Sequence, residues 1–318
     1  MRALLRIMPD GVPDDCLLAR LKGRRAFLVS DWDRLEQLPE PLDGLTAAPW
    51  RAGVPLRGEG WEHRALQQEY ARVFGWLREP LRRLLAPFFW LAEVRTMGIC
   101  LRTRAGGGTI NQDMLRFSLL CDPMRRLFGA PAGMAETVAH MAEILVSREP
   151  AWAVLPDVYR TNGAGALETA LNSISLQRRR IPDHPVVRQG IALAIDGVNL
   201  TSLAKALRWK LATPPRLLPG GTLRPSTLNA LAERGDRAGL ARMAAGLGGH
   251  GQEGAPDDLE RTVARAQQRA LLRLARDPSG IGVIISYLWR CRLEASAIGL
   301  LARIRIAGVE SVAAEIGQ

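Results

Sequence analysis

"EVRTMGICLRTRAGG" runs from Glu93 to Gly107, and "EASAIGLLARIRIAG" runs from Glu294 to Gly308. Superposed without a gap, the two share Glu93/Glu294, Gly98/Gly299, Arg102/Arg303, Arg104/Arg305 and Gly107/Gly308. A third stretch, "DGVNLTSLAKALRWKLA" from Asp196, sets Asp196 on the two glutamates, Thr201 on the glycines and Lys205 on Arg102 and Arg303. All three copies carry an acid, a small residue five positions later and a base nine positions later. Each follows an amphipathic helical run and precedes a Gly- or Pro-rich break, and the copies start about 100 residues apart, as repeated structural units do.

Helix geometry says what the pattern is for. At about 100° per residue, nine residues turn a helix two and a half times, so acid and base lie on opposite faces. They cannot pair along their own helix. The small residue, one turn before the base, lets a neighbouring helix approach. From that contact the base can reach a carboxylate or a helix C-terminus. The simplest role for Glu93, Gly98, Arg102, Asp196, Asn199, Lys205, Glu294, Gly299 and Arg303 is therefore to join helices within each unit, without chemistry.

The rest of the chain suits an all-helical fold. Its 318 residues are 47% hydrophobic and only 5% aromatic. Ala, Leu and Arg, which lose little freedom in a helix, dominate. Leu66, Tyr70, Val73, Leu77, Leu81 and Leu84 mark one buried helical stripe. Pro80 is expected to divide that run, Pro87 to begin the next helix, and Gly106 to Gly108 to close it. A second block spans about Gln112 to Ala212 and closes at Pro214 and Pro215. Helix resumes near Pro225, a good first-turn residue. Leu247 to Asp258, "LGGHGQEGAPDD", reads as a linker. The best strand-like run, "GVIIS" from Gly282, is flanked by helical patterns. Trp90, Trp209 and Trp289 sit in apolar helical patterns and are expected in the core.

No constellation in the chain points to chemistry. There is no GxxxxGK[ST] phosphate cradle and no GxSxG elbow. His63, His140 and His184 lack HExxH or HxH spacing, and His250 with Glu253 in the glycine linker is a weak metal candidate. Cys16, Cys100, Cys121 and Cys291 show no CxxC spacing. No catalytic residue, cofactor or metal is expected. The N-terminus lacks signal-peptide character, and the longest apolar runs fall short of the ~20 residues that span a bilayer, so a soluble cytoplasmic chain is expected. The net charge of +11 suits an anionic partner. "QRRRIPDHP" (Gln177 to Pro185) is the densest basic run, read as a solvated helix end.

The repeated helix resembles the E-x-x-N-[LI]-[RK]-x-[LI]-[LI]-R-x-[KR] helix of the C-type subunit family of A/V-type ATPases, whose vacuolar members are the d-type subunits. The middle copy is the nearest: Asp196 and Asn199 match D-x-x-N, Lys205 takes the basic position, and Pro219-Gly220-Gly221 resembles the turn that follows. Tyr287 and Leu288 match a C-terminal "YL" motif, and "LLARLKGRRAFLVSDWDRLEQL" from Leu17 resembles the opening helix. Thr96 and Ala297 depart from the family's Asn. The resemblance implies an all-α protein of three pseudo-threefold-related helical bundle units (1–110, 111–215 and 216–318) forming a funnel, with the N-terminal helix free to pack against the last unit. It also implies a non-catalytic role: coupling the central-stalk subunits to the membrane proteolipid ring of a proton- or sodium-translocating rotary ATPase. The protein would be peripheral, on the cytoplasmic face of the inner membrane through protein contacts. The alternative from another class is a basic helical-repeat nucleic-acid-binding protein, which would show one continuous basic stripe and steeply salt-dependent binding.

Overall fold

The computed structural model describes residues 4–28, 50, 61–176, 182–211, 215–247 and 259–306, with side chains as far as residue 299. The chain is all-α. Helix α1 is Asp14–Arg25, α2 Trp61–Trp76, α3 Glu79–Ala105, α4 Gln112–Phe117, α5 Asp122–Gly129 and α6 Met134–Val146. A 3-10 turn at Pro150–Val154 leads into α7, Leu155–Ser175. Then come α8 Pro185–Arg208, α9 Pro225–Glu233, α10 Arg237–Leu247, α11 Leu259–Leu274 and α12 Ile281–Ile306. No strand forms among the described residues; Leu5 and Leu120 make one isolated antiparallel bridge. The strand-like "GVIIS" lies inside α12.

Three helices stand out by length: α3 with 27 residues, α8 with 24 and α12 with 26. These carry the three copies of the repeat. Each follows a shorter helix: α2 before α3, α7 before α8, α11 before α12. The packing runs in cyclic order. Helix α3 lies on α7, α8 lies on α11, and α12 returns to α2. Helix α8 also touches α3 and α12, and α1 lies along α12.

Pro80 divides the run as expected, but the expectation that Pro87 begins the next helix is corrected. Pro80, not Pro87, opens α3, where its missing N–H lies among first-turn groups that lack an intrahelical partner anyway. Pro87 sits inside the helix and forfeits one backbone bond there. The helix continues because Phe88, Phe89 and Trp90 are buried beside it, with Trp90 edge-on to Trp152 at 6.2 Å. At the other end the glycines do as expected: Gly106 N–H donates to the Arg102 carbonyl, and Gly107 takes a left-handed φ of 73°.

Among the described residues the apolar side chains form one large core and a smaller one. The smaller gathers the second half of α8 with α9, α10 and α11, through residues such as Leu200, Leu228, Leu240 and Val263. Trp90 and Trp289 are core residues, but Trp209 is 58% exposed, because α8 has ended at Arg208 and the side chain follows the turn outward under Arg208. A further correction concerns apolar length. Helices α3 and α8 are long and apolar enough to cross a membrane, yet 72% and 67% of their most apolar windows are buried inside the fold. Small residues and threonines break up the apolar letters, so no single run looks long. The expected linker at Leu247 to Asp258 lies, after Leu247, outside the described residues, as do residues 177–181 of the basic run.

Candidate functional site

Glu93, Asp196 and Glu294 are all buried, one in each long helix. A carboxylate removed from water needs hydrogen-bond donors, and each of the three finds them in a different segment. Glu93 accepts from the Leu119 backbone N–H at 2.7 Å and from the Ser118 hydroxyl at 2.6 Å. Asp196 accepts from the Thr222 N–H at 2.8 Å, the Thr222 hydroxyl and the Leu223 N–H at 3.1 Å. In both cases the first backbone donor lies 26 residues after the acid. Glu294 accepts from the Trp50 indole N–H at 3.0 Å, a donor from near the other end of the chain.

These bonds fasten loops that continue into the next part of the chain. The segment held by Glu93 is gripped from its other side by the extended N-terminal stretch, with Arg6 N–H donating to the Leu119 carbonyl and Cys121 N–H to that of Leu4. Asn199, one turn after Asp196, exchanges two bonds with the Leu218 backbone, at 2.9 and 2.8 Å. Thr96 stands at the matching position in α3 and accepts instead from Gln67 of α2, at 2.9 Å. The acids thus work across the expected limits at residues 110 and 215, between segments and not only within them.

The small residues and bases behave similarly. A Cβ added at Gly98 would lie 3.0 Å from Glu168 of α7, and one at Gly299 would lie 2.8 Å from Glu62 of α2. Each glycine therefore receives a glutamate from the shorter helix that precedes the next long helix in the cyclic order. Arg102 forms an ion pair with that same Glu168, tying α3 to α7. Both partners are substantially exposed, so the pair contributes little to stability. Lys205 is half-buried near the end of α8. The Arg303 side chain lies outside the described residues. The candidate residues do not converge on one centre; they are distributed over three helices as fasteners.

Burial dominates the electrostatics. It pushes the Glu93 carboxyl above its ordinary range, against the bonds from Ser118 and Leu119 that favour the charged form. It pushes the Cys100 thiol up to about 12 and the Cys291 thiol well above its usual value, so both are inert. Among the described residues, no group of three or more His, Cys, Asp or Glu is placed to hold a metal ion.

One important cluster escapes the sequence pattern. Glu69 of α2 is fully buried and accepts from Arg24 of α1 at 2.8 and 2.6 Å, from the Tyr287 hydroxyl of α12 at 2.6 Å, and from Arg72. Burial alone would lower the Arg24 pKa, but the bonds to Glu69 and Tyr287 outweigh it and raise it. A signal was present: Glu69 falls between Leu66 and Val73 on the stripe that the periodicity assigns to the core.

A family model for the ATP synthase (C/AC39) subunit matches residues 63–313, a span that holds all three long helices. The chain belongs to that family. It is accordingly a component of a V/A-type ATPase complex, associated with the membrane as part of that assembly. A search of curated proteins gave no match.

Proposed function

We propose that the chain is a non-catalytic coupling element of the central rotor, linking the central stalk to the membrane proteolipid ring on the cytoplasmic face. The observation that carries this reading is the cyclic order of packing, α3 on α7, α8 on α11 and α12 on α2, within a member of the ATP synthase (C/AC39) subunit family. Three like units joined head to tail and closed on themselves would make the funnel expected from the resemblance, with a socket for a rod-like stalk. The matching 26-residue offsets from Glu93 and Asp196 support the same three-unit reading.

Transmitting torque calls for stiffness. Buried carboxylates that grip backbone N–H groups supply it, because shearing one helix past the next would strand charges in the interior. Proton or sodium translocation would belong to the ring, and nucleotide hydrolysis to other subunits.

The test is reconstitution. Purified chain mixed with the central-stalk subunits and the detergent-solubilised ring of the same ATPase should co-elute with both on size exclusion. Stalk binding should weaken as salt rises, given the +11 net charge. Failure to bind either partner would refute the role while leaving the fold untouched. Family membership favours this reading over the nucleic-acid alternative, which would instead require tight DNA or RNA binding with a steep salt slope.

A further inference from the structure

Where α2, α3 and α12 meet there is a small pocket whose wall is largely apolar, with Leu66 and Ala92 in it, and which several polar side chains enter. Its volume is about 20 Å³, and His63, Gln67, Tyr70, Glu93, Arg95 and Arg292 line it. His63 and Gln67 are buried, and neither His63 ring nitrogen nor the Gln67 Oε1 has a hydrogen-bond partner. Native interiors seldom leave such atoms unsatisfied, so the pocket calls for an occupant.

The charges around the pocket say which kind. His63 is pushed down to about 3 by burial and by Arg95, Arg292 and Arg102, so it is neutral and presents one N–H donor and no positive charge. Arg292 stacks 4.6 Å from the Trp289 ring centroid, and its pKa falls to about 10 through burial and the nearby Arg95, with Tyr70 opposing. Among the described residues no carboxylate pairs with Arg292. Both oxygens of Glu93 are engaged by Ser118 and Leu119. The Gln67 amide donates to the Thr96 hydroxyl. Turned over, its oxygen would accept from that hydroxyl once the hydroxyl swings away from the Ala92 carbonyl, to which it donates at 3.4 Å, and its NH2 would face the pocket. The volume allows roughly one atom the size of a water molecule or slightly larger, which leaves no room for a tetrahedral oxyanion.

We propose that this pocket binds a single halide-sized monovalent anion, held by the His63 N–H, the Gln67 amide and the Arg292 guanidinium. The anion supplies Arg292 with the countercharge that no described carboxylate gives it, and joins α2 to α12. Chloride is the obvious ion by size and charge. The proposal stands apart from the rotor reading and survives if that reading fails.

The experiment uses the purified full chain. Thermal unfolding is followed in sodium chloride and in sodium gluconate at equal ionic strength, and crystals are soaked in bromide. The expected results are a melting temperature that rises to saturation in chloride alone, and an anomalous bromide peak between His63, Gln67 and Arg292. Gln67→Glu builds a carboxylate into the pocket, so it should abolish the chloride dependence and raise the melting temperature in gluconate. Equal melting in both salts, or water density without a bromide peak, would overturn the proposal. A bromide peak with no chloride-dependent melting would overturn it too, marking an adventitious ion only. Should Gln67→Glu fail to fold, the wild-type measurements still decide.

Discussion

Removing the side chains that clamp residues 218–223 should reveal whether the buried acids hold this fold together. Asp196 accepts two backbone N–H bonds and one hydroxyl bond from Thr222 and Leu223, and Asn199 exchanges two bonds with Leu218. Hydrogen bonds to a charged group contribute about 1.5–3 kcal/mol and neutral ones about 1 kcal/mol. Thr222 is exposed, so its hydroxyl returns to water at no net cost and only the two backbone bonds count, each at the low end of the range, about 1.5 kcal/mol. Asp196→Ala should therefore cost about 3 kcal/mol and Asn199→Ala about 2 kcal/mol. Both grip one loop, and Leu218 belongs to the large core while Leu223 packs on the small one. Once either grip is lost the loop detaches, leaving the other less to hold. The double variant should cost about 4 kcal/mol, short of the sum, as neighbouring sites that share a partner do. Urea unfolding monitored by circular dichroism, with the denaturant slope unchanged, gives each value. An Asp196→Ala cost below about 1 kcal/mol, or two costs that simply add, would refute the clamp.

Other expectations follow from the same geometry. Burial raises the Glu93 pKa above its ordinary 4.5, so the stability it lends is full below that value and is lost as pH climbs through the folded pKa. Glu93→Gln should thus gain on the wild type as pH rises from about 4 to 8, and urea midpoints at several pH values that keep a constant difference would contradict this. Glu69→Met strands Arg24 and Tyr287 and should cost about 3–5 kcal/mol, whereas Glu69→Met with Arg24→Met should recover most of it; denaturant melts compare the two. Gly23→Ala meets nothing within 4 Å and should stabilise α1 by about 0.5–1 kcal/mol. Gly282→Ala would drive its Cβ into the Leu274 carbonyl and should lower the melting temperature sharply, in the same assay.

What could be read in the sequence follows from how each interaction is built. The helices were legible because their apolar periodicity is local, Asp196 because the repeat marks it, and Asn199 because the family resemblance does. The partners of the acids were not. Leu119 and Thr222 contribute backbone N–H groups, which no residue letter announces, and Trp50 reaches Glu294 from 244 residues away. The repeat located the fasteners but suggested that they act within units, since spacing along one helix says nothing about which neighbour fills the gap at Gly98. Trp209 misled because helical phase is informative only while the helix lasts. Pro87 misled because a rule about proline at helix starts cannot weigh the packing of Phe88, Phe89 and Trp90 around it.

The return of α12 to α2 bears on how the protein is made. The Tyr70 hydroxyl donates to the Leu288 carbonyl and the Tyr287 hydroxyl to Glu69, each across 218 residues. During translation the first helices leave the ribosome with these buried groups unanswered, and they stay so until α12 has emerged. A nascent chain in that condition exposes an open apolar flank. Chaperone binding to translating ribosomes should therefore persist until α12 is released, so the contact that completes the first helices is decided late, when a distant segment arrives.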